Sequence, residues 1–146
     1  MDGQVIGIIG LALCVILCGA GSAYGLYKAG ASAAGVISED PKKFSKVFVL
    51  ALLPATQGIY GFVLAVVKAG TLASAATFAQ GWIIFGEVIA LGITGMLSAI
   101  LQGKTASACI YAIGKNDEGS GKYILFPAMV EFYAILSLVL GLMINV

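Results

Sequence analysis

Glu131 is a lone carboxylate in the middle of an apolar run, residues 122–146 (KYILFPAMVEFYAILSLVLGLMINV). An ionised acid at the centre of a bilayer costs about 2.5–3.5 kcal/mol on insertion scales, so it must be neutralised, and a bound cation or a proton does that directly. Upstream, Leu53, Thr56, Gln57 and Tyr60 are spaced i, i+3, i+4 and i+7 and form one stripe on one helix face. Pro54, within this stretch, lacks an N–H and crowds the carbonyl four residues earlier. It loosens the local ladder and frees carbonyl oxygens, which in hydrocarbon must find a helix, water or an ion. Thr94, Ser98, Gln102 and Thr105 line one face of another segment. Counted at ~1.5 Å per residue from the segment edges, Gln57, Gln102 and Glu131 reach a similar middle depth. A carboxylate, two amide oxygens, a hydroxyl and a freed carbonyl are hard oxygen donors, suited to a hard cation rather than a soft transition metal. Thr94, Ser98 and Thr105 are expected to serve as interhelical hydrogen bonds, worth only ~0.6 kcal/mol each. Glu87, the second acid inside an apolar stretch, lies near its segment's end and is expected to be wetted or to face a lumen.

The elements that must position these groups are membrane helices. The chain has 146 residues, 60% hydrophobic and 10% charged, against about 25% charged for a typical soluble domain. Four apolar stretches, 5–38, 47–67, 81–113 and 123–146, each supply the ~20 residues that cross a hydrocarbon core. They leave no room for a soluble domain within these residues. Met1 and Asp2 precede the first stretch without Lys or Arg, unlike a cleavable signal peptide, so the first stretch is expected to be a retained helix. Lys28, Lys42, Lys43 and Lys46 surround the first connection, Lys104, Lys115 and Lys122 the third, and only Lys68 marks the middle one. The positive-inside rule places the first and third loops in the cytoplasm and both termini on the other face of the cell membrane.

Several chemistries are excluded. Without His, imidazole acid/base work, His-ligated haem and most zinc sites are out of reach. Cys14, Cys18 and Cys109 have no CxxC spacing and sit among small apolar residues, where free Cys packs as a small hydrophobe. No GxxxxGK[ST] phosphate loop is present. The net charge of +1 marks no nucleic-acid partner.

Laid on itself, the chain repeats. Pro54, Ala55 and Tyr60 fall on Pro127, Ala128 and Tyr133 at an offset of 73, and Ala31-Ser32-Ala33 falls on Ala106-Ser107-Ala108 at 75. Two helical hairpins, residues 1–73 and 74–146, are therefore expected in a parallel repeat. Gly58 occupies the place of Glu131, so only the second copy carries a carboxylate. The first helix of each hairpin is Gly-rich, as in helices that pack closely in lipid, and Gly spread over so much of each helix predicts several neighbours, as in a ring, although a compact monomeric bundle would use some of them too.

The segments LLPATQGIYG (52–61), LQGK (101–104) and FPAMVEFYAIL (126–136) resemble the c- or K-type proteolipid of V-type rotary ATPases, most of all the bacterial sodium-translocating branch. The resemblance covers essentially the whole chain. It implies an all-α membrane protein of four transmembrane helices in two tandem hairpins, assembled into a rotor ring with the first and third helices inside. It implies an ion held by the Leu53 carbonyl, Thr56, Gln57, Gln102 and Glu131, with the Tyr60 hydroxyl bonded to the carboxylate. Identical copies of the chain, lipids, a membrane stator with a basic residue and the central stalk are the implied partners, and ATP hydrolysis falls to other subunits. Thr56, Gln57 and Gln102 are neutral ligands that a proton does not need, so Na+ is expected as the cargo, with H+ as the alternative. Two other readings are a small proton-coupled multidrug exporter and a purely structural pore-like oligomer.

Overall fold

The computed structural model describes residues 3–74, 77–116 and 120–144, nearly all of them helical. Helix α1, Gly3–Glu39, and helix α4, Phe78–Lys115, are uninterrupted, and at ~1.5 Å per residue both outrun a ~30 Å hydrocarbon core. The second span is built from a 3-10 turn, Pro41–Lys43, helix α2, Phe44–Leu52, a second 3-10 turn, Leu53–Ala55, and helix α3, Thr56–Ser74. The fourth is a 3-10 turn, Ser120–Ile124, followed by helix α5, Leu125–Met143. All four spans are long and apolar enough to cross a membrane, and the chain is a multi-pass membrane protein.

Local chemistry sets the boundaries. The Asp40 carboxylate accepts the Lys42 N–H at 3.1 Å and starts the second span, with Pro41 at the first position of the turn, where its missing N–H is harmless. Thr77 and Gln80 form a capping box that starts α4. The two repeat-related prolines act differently. Pro54 falls mid-span and forces the 3-10 turn that separates α2 from α3, whereas Pro127 falls in the first turn of α5, where the missing N–H breaks nothing.

The second span runs further than hydropathy suggests. Lys68, which ends the apolar stretch in the sequence and is expected there to mark the middle connection, lies inside α3 and is only 1% exposed. The helix continues through it because the charge is paired, as described below. The middle connection thus shrinks to the few residues between α3 and α4, of which 75–76 lie outside the described residues.

The two Gly-rich helices pack against each other, parallel and in register. A Cβ added at Gly81 would strike the backbone of Gly3, and one at Gly103 the backbone of Gly25. The hydroxyls of Ser32 and Ser107, equivalent in the two copies, lie 2.6 Å apart. Small residues here replace a hydrophobic drive, which lipid does not supply, with close van der Waals contact. Cys14, Cys18 and Cys109 are buried and free, as expected of packing residues.

The core divides along the bundle. Near the first and third loops, Ala29, Ala33, Val36, Val47, Leu50, Ala106, Ile110 and Ile113 pack together, and Lys43 Nζ donates to the Gly114 carbonyl at 2.8 Å. Further along, Cys14, Cys18, Leu64, Val88 and Leu91 form a second cluster. Large side chains such as Phe62, Phe132 and Tyr133 point outward, as a helix surrounded by lipid or by other copies requires.

Candidate functional site

Between these two clusters lies a layer of polar side chains. Gln57 and Gln102 are fully buried and Glu131 is 9% exposed. Gln57 Nε2 donates to Gln102 Oε1 at 2.7 Å, and Gln102 Nε2 donates to Glu131 Oε2 at 3.2 Å. The Tyr60 hydroxyl donates to the other carboxylate oxygen, Oε1, at 2.5 Å. Thr56 Oγ1 donates to the Leu53 carbonyl at 3.0 Å and lies 3.3 Å from Gln57 Oε1. The six residues singled out in the sequence, Leu53, Thr56, Gln57, Tyr60, Gln102 and Glu131, are therefore joined in one continuous hydrogen-bond network across three helices.

Each member is placed by a local rule. The 3-10 turn at Leu53–Ala55 lets the Leu53 carbonyl take the Thr56 N–H, and the Thr56 hydroxyl folds back on the same oxygen. Gln57 and Tyr60 follow at the start of α3, three residues apart and on the same face. Gln102 sits where α4 passes α5. Its Nε2 also donates to the Pro127 carbonyl at 3.1 Å.

Ser98 belongs to this network as well. It accepts Gln57 Nε2 at 3.2 Å and donates to the Val130 carbonyl at 3.0 Å, next to Glu131 in the chain. It makes the interhelical bond expected of it, but within the site. Thr94 and Thr105 do not bridge helices: their hydroxyls bond the Ala90 and Leu101 carbonyls of their own helix, at 2.8 and 2.9 Å. A threonine hydroxyl reaches the carbonyl four residues back more readily than it reaches a neighbouring helix.

The matching place in the first hairpin is closed. The Gly58 N–H donates to Ser22 Oγ at 2.8 Å, and a Cβ on Gly58 would lie 3.2 Å from that oxygen. Tyr133, the counterpart of Tyr60, faces outward at 70% exposure. Ser22 is a residue that sequence reasoning passes over, since one serine in a Gly- and Ala-rich helix carries no signal.

Glu87 corrects another expectation. It is neither wetted nor lumen-facing: it is 6% exposed, and its Oε2 is 2.7 Å from Lys68 Nζ. A carboxylate near a helix end stays buried when a cation is delivered to it.

Chemically, the Glu131 layer holds one acid among neutral groups. Among the described residues, no three His, Cys, Asp or Glu side chains come together. What surrounds Glu131 is amide, hydroxyl and carbonyl, a donor set for a hard, weakly demanding cation or for a proton.

Similarity to known proteins points the same way. The family model that describes the C subunit of ATP synthase matches twice, at residues 9–67 and 85–144. The chain is 40% identical to the K subunit of the V-type sodium ATPase of Enterococcus hirae, covering 95% of this chain and 89% of that protein. It is 36% identical to the K subunit of the A-type ATP synthase of Methanocaldococcus jannaschii, covering 100% of this chain and 64% of that one. It is 24% identical to the 16 kDa proteolipid of the V-type proton ATPase of Nephrops norvegicus, over 89% of this chain and 85% of the relative. With four membrane spans, a buried acid in the second hairpin and these matches along its length, the chain belongs to the ATP synthase C-subunit family, the proteolipids that form the membrane rings of rotary ATPases.

Proposed function

We propose that this proteolipid carries Na+, held by the Leu53 carbonyl, Thr56, Gln57, Gln102 and Glu131, with the Tyr60 hydroxyl steadying the carboxylate. The observation that carries the proposal is the run of neutral polar groups leading to one acid: a proton needs Glu131 and a single partner, whereas Thr56 lies against Gln57, Gln57 bonds Gln102, and Gln102 bonds Glu131. On binding, the Gln57 and Gln102 amides turn over together, so that the Gln102 oxygen faces the cargo while its Nε2 donates to the Gln57 oxygen. The hydrogen bond to Glu131 is exchanged for a shared cation, and the net charge of the layer falls to zero.

In this scheme the two halves, residues 1–73 and 74–146, contribute unequally. The first supplies neutral ligands, the second the charge. As the ring turns, Glu131 meets a membrane stator with a basic residue, exchanges its ion there, and returns to lipid neutralised. The central stalk couples the rotation to ATP chemistry carried out elsewhere in the complex. The Lys-rich first and third loops face the cytoplasm, and the termini face the other side. An elementary charge crossing the membrane is worth about 2.3 kcal/mol per 100 mV, so several ions per ATP are energetically reasonable.

The test is carbodiimide labelling of Glu131 in the assembled ring across pH, with and without NaCl. Sodium is expected to slow labelling at every pH where it proceeds. Labelling indifferent to NaCl over that range assigns the site to H+ instead.

A further inference from the structure

The ion site leaves one charged cluster of the bundle unused. Lys68 on α3 and Glu87 on α4 form an ion pair of 2.7 Å, with both residues almost wholly buried. Lys68 Nζ also donates to the carbonyl of Ile144, which caps the end of α5. A single ammonium therefore ties three helices together. Among the described residues, Lys68 is the one partner of the Glu87 carboxylate.

Stability alone is a poor reason for this arrangement, because well-packed apolar residues of the same volume generally do as well as a buried pair. Its position suggests another reason. The described polar ties of α5 to other helices fall at two levels. One is the ion site, where Gln102 holds Glu131 and the Pro127 carbonyl, Ser98 holds the Val130 carbonyl, and Tyr60 holds Glu131. The other is the Lys68 bond to Ile144, about 20 Å along the chain from Glu131 at helical rise. Bonds at the first level break and re-form each time the cargo comes and goes. The second level holds a cation that cannot leave, because it is covalently part of α3. Gln57, Gly61, Leu64 and Lys68 share the buried face of α3, so the face that presents the neutral ligand Gln57 also carries the ammonium.

We propose that Lys68, Glu87 and the Ile144 carbonyl act as a positioning clamp for the ion site. The clamp holds α5 against α3 and α4 while Glu131 exchanges its cargo, so that the carboxylate returns to the same place beside Gln57, Tyr60 and Gln102. This rests on the ion-site reading above.

The test uses the assembled ring and two readouts: the NaCl concentration that half-protects Glu131 from carbodiimide, and hydrogen exchange in the last turns of α5 with and without sodium. In the neutral double variant Lys68→Met/Glu87→Gln, the half-protecting concentration is expected to rise about three- to thirtyfold, the usual range for a residue that acts through another. The end of α5 is expected to exchange faster, most of all without sodium. Lys68→Arg, which keeps a donor for both partners, is expected to restore both readouts towards the parent. A double variant that assembles and keeps the parental midpoint within about twofold, the scatter of uncoupled sites, overturns the clamp. If that double variant does not assemble, the more polar pair Lys68→Gln/Glu87→Gln, with a shorter uncharged side chain in place of the ammonium that reaches Ile144, decides: a raised midpoint supports the clamp and an unchanged one overturns it. If sodium fails to protect the parent ring, it is the sodium reading that falls. The clamp is then judged on α5 exchange alone, and equal exchange in parent and variant overturns it.

Discussion

Glu131 and Glu87 are both carboxylates buried inside membrane-spanning helices, yet they are satisfied in opposite ways. Glu87 has an ammonium at 2.7 Å, and its charge is cancelled within the chain. Glu131 has a phenol and an amide, which direct hydrogen bonds at it but leave its charge whole. On the reading proposed above, the difference separates a group built to stay neutralised from one that takes its neutralising partner from outside. Burial alone does not distinguish them. The identity of the donors does.

The comparison breaks most completely at Glu131→Gln. The variant ring is expected to assemble, since the amide oxygen can accept from Gln102 while its NH2 donates to the Tyr60 oxygen, and cation transport by the complex reconstituted in liposomes falls to background. Next in size is Lys68→Met alone, which leaves Glu87 buried without its cation. Such a break costs about 3–5 kcal/mol, and it is expected to show as a large drop in the melting temperature of the detergent-extracted ring, relieved by adding Glu87→Gln. A Glu87 that needs no partner would leave the melt unchanged. Tyr60→Phe removes one hydrogen bond to a charged group, worth about 1.5–3 kcal/mol, so the half-protecting NaCl concentration is expected to rise at least roughly tenfold. Ser98→Ala removes a neutral bridge and is expected to raise it about threefold, in line with ~0.6 kcal/mol for an interhelical bond in a membrane. Thr94→Ala, whose hydroxyl bonds only its own helix, is expected to leave the midpoint within about twofold of the parent.

Much of this is legible in the chain because polar residues stand out against an apolar background. Gln57, Gln102 and Glu131 are each conspicuous, and helical rise puts them at one depth. The i, i+3, i+4, i+7 stripe then brings in Leu53, Thr56 and Tyr60 without any tertiary knowledge. The duplication is readable for a similar reason: Pro54 and Tyr60 are rare enough in such helices to align by eye with Pro127 and Tyr133. Ser22 is hidden by the same logic, since serine is common wherever small residues pack and only its neighbours reveal its work. Lys68 is misplaced because a hydropathy cut treats a charge as the edge of a segment, and Glu87 because a lone acid near a helix end is assigned to water. Each is assigned to a boundary on its own, and nothing along one dimension shows that α3 and α4 bring the two charges into contact.

The hydrogen bond from Gly58 to Ser22 bears on how many charges one chain can hold. A Cβ at position 58 would lie 3.2 Å from Ser22 Oγ, so a side chain there needs the serine to give by a few tenths of an ångström or to turn away from the Gly58 N–H. An acid placed at 58 would compete with Ser22 for the same space, beside a counterpart of Tyr60, Tyr133, that faces outward. Position 58 is thus a tight berth, which a second carboxylate could occupy only by rearranging the hydroxyl next to it.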